Sequence, residues 1–531
     1  MIKIENKKSI LPMILIILDG WGITKPGLGN ATTLAKTPTI NGLTKKFPST
    51  ALFAHGKHVG LSSEQPGNSE AGHMNIGAGR IIKQDSVIIN NSINDGTFFK
   101  NPAFIEVIKH IKNNKSKLHL MGLISNCASA HSDPKHLLAL LTLIEKYQVK
   151  EVYLHLFTDG RDSPKYSSLK LIQEIKKILK NNECIATVMG RFYAMDRKKK
   201  WERTEKAYEA LVNGIGKQAN SVEAAITENY NCKRSDEFIE PYIICKNGKI
   251  TPRISDNDGI IFFNLRSDRA RQLTKIFVQR EFCELNKICF NRKKFLKNVC
   301  FVAMTDFGPD LGSILTAYPS SDIKKTLPMI LKKLKQLYLA ETEKYAHVTY
   351  FFNGGYSNAV DDEVRMVLPS PDVGSYKKTP IMSSDKLTKQ IIMNLIGKKD
   401  KNQNNWQYDF TLLNFAAPDM IGHTGDLSAG INCCHQVDKY LDQIVRAYLK
   451  VNGTVLITAD HGNIEEMINP KTGEINTEHS VNQVPFIIVN KQLKNKIKLR
   501  SNGILADIAP TILELLSLKQ PKEMRGKSLI K

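Results

Sequence analysis

The sequence predicts an α/β protein built from two domains with mainly parallel sheets. Its 531 residues are more than one hydrophobic core usually organises. Short apolar runs alternate along the chain with segments of helical periodicity, an order typical of parallel sheets covered by helices. The polar residues that follow these runs change in character, with carboxylates and imidazoles towards both ends of the chain and cationic groups in the middle. The simplest arrangement is a discontinuous domain into which a second domain is inserted.

This change in chemistry sets the expected domain boundaries. We expect the domain boundaries near residues 82–84 and 318–320. Residues 1–83 and 318–531 then form the discontinuous domain, and residues 84–317 form the inserted domain. Helical patterns, for example over residues 167–179, separate the strands of the inserted domain. These strands are predicted at residues 118–124, 152–157, 185–189 and 260–264.

The formal net charge of +23 raises the question of nucleic-acid binding. Much of the excess is lysine in polar segments such as residues 198–200 and 332–333, which lack the interleaved aromatic side chains that stack on bases. We therefore expect no nucleic-acid partner, and a charge that helps to attract a small anionic substrate. With 42% hydrophobic and 24% charged residues, the composition is that of a globular protein.

Cysteine usage and hydropathy bear on the location of the protein. Nine cysteines form no C-x-x-C pair, which is typical of the reduced cytoplasm. No apolar stretch approaches the ~20 residues that span a membrane. Lys3, Lys7 and Lys8 precede the apolar run 13–18 and imitate a secretion signal, but no small-x-small cleavage site follows. A buried first strand is the better interpretation, so we expect a cytoplasmic protein with no membrane partner.

Aspartate and histidine, residue types that commonly bind metals, follow three apolar runs at residues 13–18, 410–415 and 455–458. Ligands in open α/β sheets bind beyond the carboxyl ends of the strands, so these residues should converge on one edge of a sheet. Carboxylates with imidazoles suit Mn or Zn, and six such groups exceed what one open catalytic ion needs. Taken singly, each residue could instead be a capping aspartate or a core histidine. The candidates that follow these runs are Asp19, Asp419, His423, Asp460 and His461, and the sixth is His479 in the segment 477–480.

The segment 67–73, Gly-Asn-Ser-Glu-Ala-Gly-His, brackets Ser69 with glycines ahead of a predicted helix. Ser69 could simply cap that helix. It could also be a nucleophile on a tight turn, with backbone N–H groups nearby to hold an oxyanion. Because no Ser-His-Asp arrangement is evident, a metal would have to lower the pKa of the hydroxyl group.

The middle of the chain predicts an anion site. Arginine side chains bind carboxylate and phosphate groups in a bidentate manner, although surface salt bridges are the alternative for any single arginine. Asp162 lies among these cations and should stay ionised, which suits a general base. Lys344 alone would be interpreted as an exposed lysine at a helix end. The residues of the predicted anion site are His131, Arg161, Arg191, Arg197, Arg266 and Arg269.

Several of these motifs, in fixed order, resemble the cofactor-independent (2,3-bisphosphoglycerate-independent) phosphoglycerate mutases of the alkaline phosphatase-like superfamily. The resemblance runs from about residue 12 to the C-terminus. It rests on residues 18–22, 67–80, 158–162, 190–197, 262–269, 344–352, 419–426 and 458–463.

The resemblance implies a discontinuous alkaline phosphatase-like domain that carries an inserted phosphotransferase domain, with two Mn²⁺ ions in the former. It implies one ion on Asp419, His423 and His479 and the other on Asp19, Asp460, His461 and Ser69, with Ser69 as the phosphoryl acceptor. It also implies that Lys344 and Asp162 bind substrate together with the histidine and arginines of the anion site. The sequence departs from the family at residues 131–133, His-Ser-Asp, where many relatives carry a second histidine, and this puts the role of Asp133 in doubt.

The expected activity is the interconversion of 3-phosphoglycerate and 2-phosphoglycerate through a phosphoserine, by a cytoplasmic monomer and without 2,3-bisphosphoglycerate. A phosphatase or phosphopentomutase-like enzyme could use the same metal ligands, but would not need the arginine-rich middle domain. A basic RNA-binding protein is the alternative from another class and predicts salt-dependent binding. The lysine- and asparagine-rich residues 398–405 match no motif and are expected to form a surface loop.

Overall fold

The computed structural model describes residues 10–126, 129–180, 183–308, 310–312, 314–320, 323–361, 363–395, 406–494 and 496–531. The expected loop at residues 398–405 lies outside the described residues. The strands are β1 Met13–Leu18, β2 Ser49–Phe53, β3 Leu118–Leu123, β4 Val152–Thr158, β5 Glu183–Gly190, β6 Lys217–Ala219, β7 Tyr242–Lys246, β8 Lys249–Ile250, β9 Gly259–Phe262, β10 Cys300–Thr305, β11 Leu315–Tyr318, β12 Gln336–Glu341, β13 Val364–Leu368, β14 Phe410–Phe415, β15 Thr454–Thr458, β16 Val484–Val489 and β17 Gly503–Ile504.

Helices alternate with these strands, as the sequence pattern predicts. None of the helices in the described part of the chain is both long and apolar enough to cross a membrane. The helices are α1 Ala31–Leu34, α2 Pro38–Lys46, α3 Ser69–Ala78, α4 Asp85–Asn94, α5 Pro102–Asn114, α6 Pro134–Lys146, α7 Ser168–Ile178, α8 Arg191–Ala194, α9 Trp201–Tyr208, α10 Val222–Asn231, α11 Ser267–Val278, α12 Phe282–Leu285, α13 Leu327–Ile330, α14 Ser384–Leu395, α15 Ala417–Gly422, α16 Leu427–Lys450 and α17 Ile508–Leu515.

The chain divides into two compact units. The outer unit comprises Met1–Gln84 and Asp322–Lys531, and the inserted unit comprises Asp85–Ser321. Each unit contains one sheet, and the α/β class with mainly parallel strands is confirmed for both.

The outer unit has a sheet of strand order β13-β12-β14-β1-β15-β16-β2-β17. Only β16 runs antiparallel to its neighbours, β15 and β2. The central strands β14, β1 and β15 are buried along their whole length, as expected for a parallel sheet covered on both faces. Their hydrophobic side chains form one continuous core with those of α16 and α17.

The inserted unit has a sheet of order β11-β10-β9-β3-β4-β5-β7-β6, with β8 paired to β7. It is parallel from β11 to β5. The strand β7 runs antiparallel to β5. Alternate residues of its central strands belong to two separate hydrophobic clusters, so both faces of this sheet are covered.

A disulfide joins Cys283 and Cys289, whose Cα atoms lie 5.4 Å apart. The expectation of reduced cysteines is wrong for this pair, because the segment after α12 turns back and brings the two thiols together. Spacing without a recognised motif gives no signal for such a local bond. The adjacent Cys433 and Cys434 are buried free thiols.

Candidate active site

The ligand-bearing segments of the outer unit begin at the carboxyl ends of three adjacent parallel strands. The register of β1 pairs Leu18 with Phe415 on one side and Ile17 with Thr458 on the other. Asp19, Asp419 and Asp460 therefore emerge at the same edge of the sheet, and all three carboxylates are buried. The hydrogen bond from the backbone N of Asp19 to the carbonyl oxygen of Phe415, 3.1 Å long, extends the parallel pairing up to the first of these carboxylates.

The three buried carboxylates repel one another and attract positive charge. Burial and the charge of Asp460 raise the pKa of Asp19 to about 7. Burial also tends to raise the pKa of Asp419, but Lys344 and His423 more than offset it and hold that pKa well below its usual value. One buried ammonium group cannot balance three carboxylates, so the pocket suits additional cations.

Ser69 is the first residue of α3 and is not its cap. The side chain of Asn68 caps the helix by accepting a hydrogen bond from the backbone N of Ala71, so the capping interpretation of Ser69 is wrong. The hydroxyl Oγ of Ser69 is free to face the carboxylates, and it lies 2.9 Å from Nε2 of His461 and 3.2 Å from Oδ1 of Asp19. Gly72 permits this placement, because a Cβ there would lie 2.6 Å from the carbonyl oxygen of Asp460.

Lys344 is buried, so its interpretation as an exposed helix-end lysine is wrong. It ends a short 3₁₀ turn, Thr342–Lys344, directly after β12. Burial tends to lower its pKa, but Asp19 and Asp419 outweigh this and raise it far above the usual value, so the ammonium group stays charged. Its Nζ donates to Oγ of Ser69 at 2.6 Å, and to Oδ1 of Asp19 and Oδ2 of Asp419 at 2.7 Å each.

A second cluster consists of Asp419, His423 and His479. Nδ1 of His423 lies 2.8 Å from the carbonyl oxygen of Thr477, and Nδ1 of His479 lies 2.8 Å from that of Gly67. These nitrogens must donate to the carbonyls, so the Nε2 atoms present lone pairs when the rings are neutral. The two Nε2 atoms lie 3.1 Å apart and within 3.4 Å and 3.3 Å of Oδ1 of Asp419. Three acceptors aimed at one point require a cation.

The negative charge of Asp419 also affects the pKa of His423. Burial lowers the pKa of His423, but Asp419 more than compensates and raises it to about 9. Either a proton or a metal ion supplies the positive charge that these acceptor atoms attract.

The residues fit divalent metal ions on the chemistry of their donors. Carboxylate and imidazole donors are those that Mn²⁺ and Zn²⁺ accept. Within each set the ligand atoms lie within 4.8 Å of one another. The sets are Asp419, His423 and His479; Asp19, Asp419 and His461; and Asp19, His73 and Asp460.

The inserted unit holds a second polar cluster at the carboxyl ends of β4 and β5. Nη1 of Arg191 donates to Oδ1 of Asp159 at 2.5 Å and to Oδ2 of Asp162 at 2.8 Å. Burial alone would raise the pKa of Asp162, but Arg191 and the hydroxyl of Ser129 hold it below its usual value. Asp162 is therefore an ionised carboxylate, oriented by a buried guanidinium.

His131 lies near this cluster as a neutral ring. Burial, together with the charges of the neighbouring Arg266 and Arg191, lowers its pKa to about 3. Its inclusion among cationic groups is therefore wrong. Its Nδ1 has no hydrogen-bond partner within the described ranges, so this atom is available to a ligand. Asp133, two residues on, caps α6 and also accepts a hydrogen bond from Nδ2 of Asn90 at 2.8 Å.

The remaining arginines are more exposed. Asp268 contacts Arg197 at 2.6 Å and Arg266 at 3.4 Å. Arg269 donates to the carbonyl oxygen of Met195 at 3.3 Å. Arg161 is 56% exposed and lies 3.6 Å from Glu237. A set of partly exposed guanidinium groups beside an ionised carboxylate can hold an anion that also carries hydroxyl groups.

Sequence reasoning missed several residues that support the ligands. Asn414 donates through Nδ2 to Oδ2 of Asp19 at 2.7 Å and contacts Nε2 of His73 at 3.1 Å. Asn463 donates to Oδ1 of Asp419 at 2.8 Å. A polar residue within the apolar run 410–415 was the available signal for Asn414, whereas the role of Asn463 depends on tertiary contact.

The chain is similar to known proteins along nearly its whole length. Residues 89–309 match the family model described as the BPG-independent PGAM N-terminus. The chain is 45% identical over 524 residues to the 2,3-bisphosphoglycerate-independent phosphoglycerate mutase of Clostridium kluyveri, covering 98% of this chain and 99% of the relative. It is 44% identical over 523 residues to the same enzyme of Clostridioides difficile, with coverage of 98% and 99%. The crystal structure of Leishmania mexicana phosphoglycerate mutase at low cobalt concentration is similar, with a TM-score of 0.79, 28% identity and 98% of each chain covered.

Proposed function

Because the chain belongs to the family of 2,3-bisphosphoglycerate-independent phosphoglycerate mutases, we propose that it interconverts 3-phosphoglycerate and 2-phosphoglycerate through a phosphoserine at Ser69. The observation that carries this proposal is the placement of the Ser69 hydroxyl, 2.6 Å from a buried ammonium and 2.9 Å from an imidazole nitrogen. A hydroxyl held among cation-binding groups is suited to attack a phosphoryl group.

Two divalent ions fit the donor sets of the outer unit, and we expect Mn²⁺. Asp419, His423 and His479 would hold one ion, and Asp19, Asp460, His461 and Ser69 the other. When bound, such ions supply positive charge that lowers the pKa of a serine hydroxyl and offsets the charge of a phosphoryl group.

Lys344 and Ser69 act in the first transfer. The phosphoryl group moves from the substrate oxygen to Oγ of Ser69 as the bond between phosphorus and the substrate oxygen breaks. The Ser69 hydroxyl loses its proton, and the departing substrate oxygen takes up one proton and becomes a hydroxyl group of glycerate. Lys344 donates hydrogen bonds from its Nζ to the reacting oxygens, where negative charge accumulates. Because the ammonium is already fixed by Asp19 and Asp419, little reorganisation accompanies the reaction.

Asp162 and the arginines act on the glycerate that remains. The guanidinium groups of Arg161, Arg197, Arg266 and Arg269 offer bidentate partners for its carboxylate. In the return transfer, the ionised carboxylate of Asp162 accepts the proton of the second hydroxyl as that oxygen attacks the phosphorus of the phosphoserine. The bond from phosphorus to Oγ of Ser69 breaks, and Oγ regains a proton. Both sets of residues are therefore needed, and water must be excluded while glycerate is held.

The cellular setting forms a further part of the proposal. We expect the protein to be cytoplasmic, because six of the described cysteines are free thiols and the proposed substrate is a soluble metabolite. We also expect it to be a monomer. The positive net charge attracts the anionic phosphoglycerates without implying a nucleic-acid partner.

An assay of products tests the function. Purified protein with Mn²⁺ and 3-phosphoglycerate, without 2,3-bisphosphoglycerate, should yield 2-phosphoglycerate in ³¹P spectra and little inorganic phosphate. Release of inorganic phosphate alone would support a phosphatase instead. Salt-dependent RNA binding with no turnover would contradict the enzyme altogether.

A further inference from the structure

Glu465 lies beside the metal-ligand cluster but contributes no ligand atom to it. It is 1% exposed and sits in a short 3₁₀ turn, Ile464–Glu466, four residues after His461. Among the described residues, the groups that donate hydrogen bonds to its two carboxylate oxygens are all neutral. A buried charge that is not used in the chemistry needs a reason for its retention.

The four donors come from three different segments. The backbone N of Gly22 donates to Oε2 at 3.0 Å and that of Asn463 at 2.8 Å. The hydroxyl of Ser480 and Nδ2 of Asn482, the latter at 2.9 Å, donate to Oε1. The side chain of Glu465 therefore connects the segment after β1, the segment after β15 and the segment that precedes β16. We call this meeting point of three segments the junction at Glu465.

Each of these segments carries metal ligands close to its contact with Glu465. Gly22 lies three residues after Asp19, and Ser480 directly follows His479. The contact at Asn463 lies on the same turn as Asp460 and His461, and the side chain of Asn463 in turn holds Asp419. The backbone N of Ser480 also donates to the carbonyl oxygen of Gly462 at 3.0 Å, which closes the same junction.

Two glycines make room for this carboxylate. A Cβ at Gly22 would lie 2.3 Å from the carboxyl carbon of Glu465, and one at Gly462 would lie 2.5 Å from its Oε1. The backbone thus closes directly around the side chain. Shortening the side chain would remove its hydrogen bonds to all three segments, and converting it to an amide would disturb those on one side.

From this junction we infer that Glu465 is a positioning residue for the metal site, which sets the relative placement of the loops carrying Asp19, Asp460, His461 and His479. The inference rests on the proposed metal site and adds a residue that acts through the ligands. Support of ligands by such buried hydrogen bonds commonly contributes about 10–100-fold to metal affinity. In Glu465→Gln, the amide nitrogen replaces one of the two carboxylate oxygens and therefore faces two hydrogen-bond donors. The two hydrogen bonds to the replaced oxygen are then lost or must be reversed.

Calorimetric titration of metal-free protein with Mn²⁺ tests this inference. Glu465→Gln should raise the Kd for Mn²⁺ by about 10–100-fold, while KM for 3-phosphoglycerate at saturating Mn²⁺ stays unchanged. Glu466→Gln is the matched control, because Glu466 accepts only from Nδ2 of Asn482 at 3.2 Å among the hydrogen bonds resolved here. Its Kd should equal that of the wild type. A merely structural role would lower the melting temperature of the metal-free variant without changing its Kd.

A second variant keeps the test decisive if Glu465→Gln does not fold. Ser480→Ala removes one donor and retains the carboxylate, and it should raise the Kd in the same direction by a smaller factor. If the wild-type protein binds Mn²⁺ and the folded variants bind it with the same Kd, the inference about Glu465 is overturned but the proposed metal site is not. Absence of Mn²⁺ binding by the wild-type protein would instead overturn the proposed metal site.

Discussion

Nζ of Lys344 lies 2.6 Å from Oγ of Ser69, and the same ammonium is bound to Asp19 and Asp419 at 2.7 Å each. The candidate nucleophile is thus joined by one cation to carboxylates from two different strand ends. Both carboxylates hold the lysine in its charged form, although it is buried. This relationship places a positive charge at the hydroxyl oxygen that we propose as the phosphoryl acceptor.

Replacement of Lys344 by methionine should slow the formation of 2-phosphoglycerate by about 10²–10³-fold, the usual cost of losing one charge-stabilising donor in an active site. Methionine retains much of the volume of the side chain but donates no hydrogen bond. Lys333→Met, at an exposed position, is the control and should leave kcat unchanged. If kcat of Lys344→Met stays within about twofold of the wild-type value, the proposed role of Lys344 is contradicted.

Removal of metal should abolish activity, because three acceptor atoms of Asp419, His423 and His479 point at one another. Dialysis against a chelator followed by addition of Mn²⁺ should restore turnover. Inductively coupled plasma analysis must confirm that the starting protein is free of metal. Full activity in that metal-free protein would refute the two-metal assignment.

Substitution of Asp162 by asparagine should reduce 2-phosphoglycerate formation by about 10²–10⁴-fold, the range typical of a lost general base. Arg191 would then lack one of its two carboxylate partners, so the folded state should be checked by its melting temperature. Asp372→Asn, an exposed carboxylate of the outer unit, is the control. Unimpaired return transfer from phosphoserine in Asp162→Asn would exclude this residue as the base.

Loss of Arg266 should weaken retention of glycerate and allow water to compete for the phosphoserine. The expected result for Arg266→Ala is a higher ratio of inorganic phosphate to 2-phosphoglycerate, measured in the same ³¹P spectra. Arg280→Ala removes an exposed guanidinium of the same unit and should leave this ratio at the wild-type value. An unchanged ratio in Arg266→Ala would argue against a role in holding glycerate.

The sequence predicted the ligand-bearing strands well, because their signal is local. The runs at residues 13–18 and 410–415 are strands with the same bounds in the structure, and Asp19 follows its strand directly. Apolar residues buried on both faces of a parallel sheet leave few other interpretations. The pairing of β1 with β14 and β15 could only be inferred, since it joins residues from opposite ends of the chain.

Side-chain environment was predicted less well. Lys344 has the sequence context of an exposed lysine, and its burial depends on carboxylates more than 70 positions away in sequence. The neutral state of His131 likewise depends on burial beside Arg266, which no periodicity reveals. The junction at Glu465 also requires contacts from three distant segments, so only the folded chain shows it.

Identification of the phosphorylated residue tests the proposed phosphoserine mechanism most directly. Protein with Mn²⁺ is mixed with 3-phosphoglycerate, quenched in denaturant within one turnover, and digested for peptide mass spectrometry. We expect one phosphoryl group on Ser69, and none on Ser69→Ala, which should also fail to form 2-phosphoglycerate. Formation of 2-phosphoglycerate by Ser69→Ala, or a phosphoryl group trapped on a different residue, would contradict this mechanism.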